Sequence, residues 1–349
     1  MSLSLPSISV VVPTLNSERV LALSLKSVRD QDYPIDLFDI IVADGGSTDA
    51  TVEVARQFGA QVLTNPLGTA EAGKAVALKR ARGDLIALID SDNILPRKDW
   101  FLRMSEPFRD PAVIGTEPIE FSWRPEDGFI DRYCSLVGVN DPLVLFLGNY
   151  DRLNLLSGVW TELEIEQYDK GDYLEIILHR GLMPTIGANG TLLRRRFLEN
   201  YEVGDYFFDI DFIYDLANQP DVVEPRKFAK VKVGIAHLFC GSSLPSFVRK
   251  QRRRVRDYLY YEKLGIRRYP WRVFSFNSSR GRGAIFFVLA SLMFWPLFWE
   301  SMMGFMKKRD WAWFFHPVAC WVTLMTYGYY WVARYVFGAS PPDRHNYRQ

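Results

Sequence analysis

The chain is poor in cysteine and carries almost no net charge. Cys134, Cys240 and Cys320 are its three cysteines, scattered over 349 residues. An odd, widely spaced set argues against a disulfide framework or a zinc knuckle and suits a reducing compartment. The 42 basic and 41 acidic residues nearly cancel, so no global field marks nucleic acid as a partner. The amino-terminal stretch MSLSLPSISVVVPTLN lacks a positively charged leader region and has Pro13 inside its apolar run. It reads as a first strand, not a signal peptide. No internal repeat or low-complexity tract stands out, and 40.3 kDa leaves room for a full catalytic domain with something beyond it.

The first ninety residues alternate strand and helix patterns, as in a parallel sheet with covering helices. SISVVVPT (7–14), FDIIVAD (38–44), AQVLTN (60–65) and DLIALID (84–90) read as strands, and SERVLALSLKSVRDQ (17–31), DATVEVARQFG (49–59) and AEAGKAVALKRARG (70–83) as helices. Strands apolar on both faces suit a sheet covered on both sides, so this half is a nucleotide-type α/β domain. The pattern is less regular from 94 to 240. PRKDWFLRMSEPF reads as a helix beginning at Pro96, DGFIDRYCSLVGV as an amphipathic helix, GLMPTIGANGTLLRRRFL as a strand, a glycine turn and a short element, and KFAKVKVGIAHLF as a strand.

Beyond Leu244 the composition changes. Between Arg249 and Arg282 stand twelve Lys or Arg against Asp257 and Glu262. LPSFVRKQRRRVRDYLYYEKLGI is a basic helix interleaved with aromatic residues, which suits a membrane surface or an acidic ligand. Segments 284–306 and 311–338 are each long enough to cross a bilayer, which takes roughly 20 apolar residues, and their Trp and Tyr suit interfacial belts. The basic flank before Ala284 favours a domain facing the cytoplasm, whereas the basic KKRD between the segments leaves open a shallow re-entrant pair aided by Pro296 and Pro317.

The chemistry concentrates at strand ends. IDSDN (89–93) closes an apolar strand with Asp90 and Asp92, a seat for Mg2+ or Mn2+ holding nucleotide phosphates. Two more strands end in PTLNSE (13–18) and ADGGSTD (43–49), and the carboxyl ends of parallel strands are where open α/β sheets bind ligands. Asp44 can accept hydrogen bonds from a base, Gly45 and Gly46 let backbone approach a ligand, and Lys74 can neutralise a diphosphate. His237, in GIAHLF, is either a core residue or a further metal or diphosphate contact.

The order VVPTLNSE, VADGGSTDAT, GKAVALKRARGD, LIDSDN closely resembles the inverting glycosyltransferases of family 2. The resemblance covers roughly residues 7–255. It implies a GT-A fold, a Rossmann-like mixed sheet with helices on both faces. It also implies that Pro13, Thr14, Asn16 and Glu18 line the nucleoside pocket, that Asp44 and Gly45 lie at the base, and that Asp90, Ser91 and Asp92 form the metal and sugar-nucleotide motif. GANG, Gly187, Ala188, Asn189 and Gly190, is similar to the family's acceptor-side turn. FDID (208–211) is similar to its base motif, with Phe208 where Glu is common, so Asp209 is the first match to the base and Asp211 the second. Gln251 and Arg254 have the spacing of the Q-x-x-R-W motif of membrane polysaccharide synthases, with Val255 in place of Trp.

The expected organisation is a GT-A domain over 1–243, with a nucleotide-binding half (1–93) and an acceptor half (94–243). A basic interfacial segment (244–283), two transmembrane or re-entrant helices (284–338) and a polar tail (339–349) follow. The expected reaction moves a sugar from a nucleotide-diphosphate sugar, UDP being common in the family, to a lipid-linked saccharide or glycolipid, with Mg2+ or Mn2+ and an Asp base. A polyprenyl-phosphate acceptor is the alternative. A nucleotidyltransferase is disfavoured because PTLNSE has no glycine-rich loop with arginine, and a non-catalytic assembly protein because its carboxylates are intact. The partners expected are donor, acceptor and the cytoplasmic membrane, without nucleic acid, and the apolar segments offer surfaces for a homo-oligomer.

Overall fold

β-branched runs and small-residue helices set the element order seen in the computed structural model, which describes residues 5–150, 152–181, 183–187, 189–219, 225–270 and 278–340. Along the chain these are β1 (Ile8–Thr14), α1 (Glu18–Arg29), β2 (Phe38–Asp44), α2 (Thr51–Gln57), β3 (Gln61–Thr64), α3 (Ala70–Leu78), β4 (Leu85–Leu88), β5 (Asn93–Ile94), α4 (Trp100–Ser105) and β6 (Val113–Phe121). Then come α5 (Phe129–Val137), α6 (Pro142–Phe146), β7 (Gln167–Asp169), β8 (Tyr173–Leu178), β9 (Thr191–Arg194), α7 (Asp209–Asn218), β10 (Arg226–His237) and α8 (Leu244–Leu264). The last helices are α9 (Ser279–Met293), α10 (Trp295–Lys307) and α11 (His316–Tyr335).

The chain forms two compact units, Met1–Ser122 with Glu164–Leu238, and Trp123–Leu163 with Phe239–Gln349. The acceptor half expected over 94–243 is not one piece: its 123–163 stretch belongs to the same unit as the C-terminal helices. Residues 271–277 of the basic segment and 341–349 of the polar tail lie outside the described residues.

The first unit is built on one sheet of order β3-β2-β1-β4-β9-β6-β10-β8-β7, with β5 paired to β10. β3, β2, β1 and β4 are parallel, as the alternating pattern predicts. β9 runs antiparallel to both β4 and β6, which makes the sheet mixed. Its core includes Val10, Val12, Ile40, Leu85, Trp100, Phe101 and Ile235. Trp100 also donates its indole N–H to Gly234 O at 2.9 Å, so the largest buried side chain leaves no polar atom stranded. The helix expected from Pro96 begins only at Trp100. Ahead of β9, the described residues show none of the strand expected before the glycine turn, and 183–187 carry no regular structure.

The second unit packs α5 and α8 around Phe315, which meets Tyr133 and Phe247 edge-on at 5.3 and 5.2 Å. A polar chain runs outward from them: Tyr133 OH lies 2.8 Å from His316 Nδ1, and His316 Nε2 lies 2.9 Å from the partly exposed Glu300. Neither of the two segments expected to span or re-enter a membrane is a single long helix. Among the described residues no single helix is long and apolar enough to cross a membrane. The segment 284–306 breaks at Phe294, whose φ is +64°, into α9 and α10, bent by 93°. Pro296 has no N–H to continue the α9 ladder, which is why the break falls there. The second segment begins as a 3-10 turn over Trp311–Phe315 and becomes helical only at His316.

Candidate functional site

In the first unit the register brings the three strand ends together. Thr14 pairs with Asp44 across β1 and β2, and Val11 pairs with Leu88 across β1 and β4. Because parallel strands end on the same side, Pro13, Thr14, Asp44 and the 90–92 turn emerge on one edge. The loops there are cross-linked. Asn16, at φ +49°, accepts Thr48 N at 2.8 Å on Oδ1 and donates its own N–H to Ser47 Oγ. Glu18 Oε2 accepts Ala50 N at 3.1 Å. Asp44 is buried and accepts bonds from Gly46 N, Ser47 N and Ser47 Oγ, and Gly45 N donates to Thr14 O. These side chains therefore form the wall of the crevice, with much of their polar capacity committed to its loops.

The 90–92 turn is also tied down. Asn93 Oδ1 accepts Asp90 N at 3.1 Å, and Ser91 Oγ reaches Ser17 Oγ at 3.3 Å. β5 then pairs Asn93 with His237 at the end of β10, and Leu238 N donates to Asp92 O. His237 Nε2 consequently lies 3.4 Å from Asp92 Oδ1, with a fifth of the Asp92 side chain exposed. Among the described residues no cluster of three His, Cys, Asp or Glu could cage a metal. A hard ion that keeps waters and binds substrate phosphates needs only one or two protein carboxylates, and the Asp92 and His237 pair, close together and open on one side, fits such a group.

Asp209, in the first turn of α7, lies within electrostatic reach of Asp90. Lys74 Nζ, from α3, lies 2.5 Å from Asp209 Oδ2, and both side chains are largely buried, 12% and 7% exposed. Burial pushes the Asp209 carboxyl up to about 6, against the Lys74 charge that holds it down, and the carboxylates of Asp90 and Glu71 add to the rise. Burial also works against the Lys74 ammonium, but Asp209, Asp90 and Glu71 outweigh it and keep its pKa above the usual lysine value. Asp209 Oδ1 is buried with no hydrogen-bond partner among the described residues. Such an atom is costly unless something arrives to bond it. Asp211 is buried on the same turn.

The glycine turn packs directly on this carboxylate. Gly187 sits at φ +106°, and a Cβ there would meet Asp209 Cβ at 3.3 Å and Ile213 Cδ1 at 2.7 Å. Gly190 at φ +83° would strike Ile235 at 2.6 Å, and Asn189 also has positive φ, +40°. Ala188 lies outside the described residues. Two residues that sequence reading missed hold this turn. Glu117 on β6 and Lys230 on β10 form an ion pair with no exposure at either side chain, and Glu117 Oε2 also accepts Gly187 N at 3.0 Å. Their signal was a single Glu in VIGTEPIEF and a Lys inside KVKVGIAH, charges in runs otherwise destined for the core.

Gln251 and Arg254 belong to the second unit. Gln251 is fully buried and donates to Asn140 O at 2.8 Å, Arg254 donates to Gln251 Oε1 at 2.9 Å, and Tyr327 OH donates to Asp141 Oδ2 at 2.7 Å. The pair thus joins α8 to the 140–141 turn.

Residues 9–132 match the family described as glycosyl transferase family 2. The chain is 34% identical over 149 residues to the poly(ribitol-phosphate) beta-N-acetylglucosaminyltransferase TarS of Staphylococcus aureus, an alignment covering 40% of this chain and 26% of TarS. It is 34% identical over 206 residues to the probable glycosyltransferase YdaM of Bacillus subtilis, covering 49% of this chain and 48% of YdaM. The chain therefore spans about half the length, or less, of these relatives. Among solved structures, the mannosyltransferase PcManGT from Pyrobaculum calidifontis, in complex with GDP-Man and Mn2+, aligns over 94% of this chain and 88% of its own, at 15% identity and TM-score 0.47.

The buried pair supplies a stability test. Lys230→Met alone leaves Glu117 charged in the core and is expected to cost about 3–5 kcal/mol by chemical denaturation. Lys230→Met with Glu117→Leu is expected to recover a large part of that loss. A double variant no more stable than the single one would mean that the pair's charge is not what makes the single change costly.

Proposed function

We propose, from the match of residues 9–132 to the glycosyl transferase family 2 model, that the chain is an inverting glycosyltransferase using a nucleotide-diphosphate sugar. The observation that carries the reading is the Asp209 carboxylate, buried, paired to Lys74 and left with one unbonded oxygen. Asp209 is the base: it takes the proton of an acceptor hydroxyl as that oxygen attacks the anomeric carbon. The bond from that carbon to the diphosphate breaks on the opposite side, the nucleoside diphosphate leaves with the electron pair, and the centre inverts in one displacement. A pKa near 6 suits this role, because the carboxylate is ionised at neutral pH yet basic enough to hold the proton in the transition state.

Lys74 lies where it can serve two anions, the base and the departing diphosphate. Pro13, Thr14, Asn16, Glu18, Asp44 and Gly45 form the nucleoside side of the site, and Asp90 and Ser91 face the sugar-diphosphate. Mg2+ or Mn2+ would be held by Asp92 and His237, with Asp90 beside them, and when bound such an ion offsets the charge of a leaving diphosphate. Gly187, Asn189 and Gly190 bound the acceptor side, and Asp211 is the second candidate for the base.

The acceptor we assign is a lipid-linked saccharide or glycolipid at the cytoplasmic face of a membrane. The same chain carries the basic helix α8 and a second unit whose C-terminal helices expose Trp295, Trp299 and Trp331. A hydroxyl acceptor needs a base, whereas a polyprenyl phosphate is already anionic, so the poised state of Asp209 favours the hydroxyl.

Detergent-purified protein assayed over UDP-, GDP- and dTDP-sugars with Mn2+ or Mg2+ tests this. One donor is expected to be hydrolysed or transferred, with Asp209→Asn reducing transfer to a hydroxyl by about 10²–10⁴-fold. Retention of transfer to polyprenyl phosphate by Asp209→Asn would move the assignment to the phosphate acceptor, and failure to bind any donor would remove the glycosyltransferase reading. Separately, Asp92→Ala is expected to weaken binding of Mn2+ in the presence of nucleoside diphosphate, read by electron paramagnetic resonance; unchanged binding would take Asp92 out of the metal seat.

The pH dependence has a definite sign. Below its pKa the Asp209 carboxyl is protonated and cannot accept a proton, so kcat/KM is expected to rise with pH through about 6 and then level off. Lys74 holds that pKa down against burial, so Lys74→Met should move the limb to higher pH as well as lowering the plateau. A limb that stays in place in Lys74→Met would show that Asp209 is not the group being titrated.

A further inference from the structure

Residues 283–306 contain one ionisable side chain, Glu300, and it is taken by His316 at 2.9 Å. Basic residues stand at both ends of this stretch, Arg280 and Arg282 before it and Lys307, Lys308 and Arg309 after it. At the bend between α9 and α10 four consecutive large apolar side chains, Leu292, Met293, Phe294 and Trp295, are 43–69% exposed. A water-facing surface rarely gathers such a patch at the apex of a projection.

We propose that α9 and α10 form a wedge that enters one leaflet of an anionic bilayer and returns, leaving both basic ends on the same face. The length decides between a wedge and a span. At about 1.5 Å per residue the arms measure about 22 and 20 Å, and a symmetric V with this bend reaches about 15 Å deep. The hydrocarbon core is about 30 Å thick, so the apex stops near its middle. Both roots then lie at headgroup level, where Lys and Arg meet anionic lipid and the exposed Trp311, next to the second root, finds the interface it favours.

Charge argues against a second copy as the occupant. A two-fold dimer through this patch would be self-complementary, and the rim around it carries one sign. Its acid, Asp310, is already bound by Arg132 at 2.9 Å. Two such rims repel each other, while a surface of phosphatidylglycerol attracts both. The wedge adds depth and topology to the membrane attachment proposed above and rests on that reading. Donor hydrolysis, assayed alongside, reports on the sheet-bearing unit alone and separates failure of one idea from failure of the other.

The test uses the full chain in a Cys240→Ser background, added to sealed phosphatidylcholine vesicles containing phosphatidylglycerol. A fluorophore on Met293→Cys is expected to be quenched by lipids brominated near the chain ends, while Ser279→Cys and Lys308→Cys both react fully with an impermeant maleimide from outside. Leu292→Glu with Trp295→Glu is expected to weaken vesicle binding at least about tenfold, the loss of two buried apolar side chains, with donor hydrolysis unchanged. Protection of one root would mean a span. A Met293 label still open to an aqueous quencher, or shielded without vesicles as the protein concentration rises, would mean respectively no insertion or a second copy. Each of these three results overturns the wedge.

Discussion

The first unit is organised around a carboxylate that burial would neutralise and a lysine that keeps it charged. Asp209 begins α7 with one oxygen on Lys74 and the other unbonded, and the two opposing influences leave it balanced near pH 6. Everything close by serves that balance. Gly187 has no side chain because a Cβ would collide with Ile213 and crowd Asp209, and Phe207 N bonds Glu71 O, joining the approach to α7 to the helix that carries Lys74. Below the turn, the Glu117 and Lys230 pair bonds Gly187 N, so a buried charge pair of little net stability gives a fixed position to the backbone that abuts Asp209.

The sheet explains how distant sequence positions meet there. Parallel β2, β1 and β4 deliver Asp44, Thr14 and the 90–92 turn to one edge, and the reversal at β9 brings the glycine turn back beside β4, with Gly190 N on Leu88 O. β10 then closes the arrangement through β5, setting His237 against Asp92. For the proposed transfer from a nucleotide sugar, the mixed sheet would supply both a rigid cradle for the donor and a base at a fixed distance from it, from one set of hydrogen bonds.

Much of this was legible in the sequence, for reasons that differ by element. β1, β2, β4, β10 and α8 were plain because their apolar period or basic interleaving runs uninterrupted, and Asp90, Asp92 and Lys74 stood out as polar residues closing or opening such runs. α4 began four residues later than Pro96 suggested, since a proline permits a helix start without compelling one. The grouping of 123–163 with the C-terminal helices was invisible, because it depends on packing between segments nearly a hundred residues apart. Glu117 and Lys230 were passed over for the same reason: each is a lone charge in a strand, and only the register of β6 against β10 pairs them. The break at Phe294 had one signal, Pro296 inside the apolar run, while the size of the bend was not legible because hydropathy takes no account of direction.

The most direct test of the account is infrared titration of the Asp209 carboxyl, taken as the difference between wild type and Asp209→Asn, with and without a nucleoside diphosphate. The account requires ionisation near pH 6 in the free protein and at higher pH in the complex, because the bound diphosphate adds negative charge and draws on the Lys74 charge. Ionisation near pH 4, unmoved by nucleotide, would contradict it and reduce the Asp209 and Lys74 pair to a structural ion pair apart from any donor.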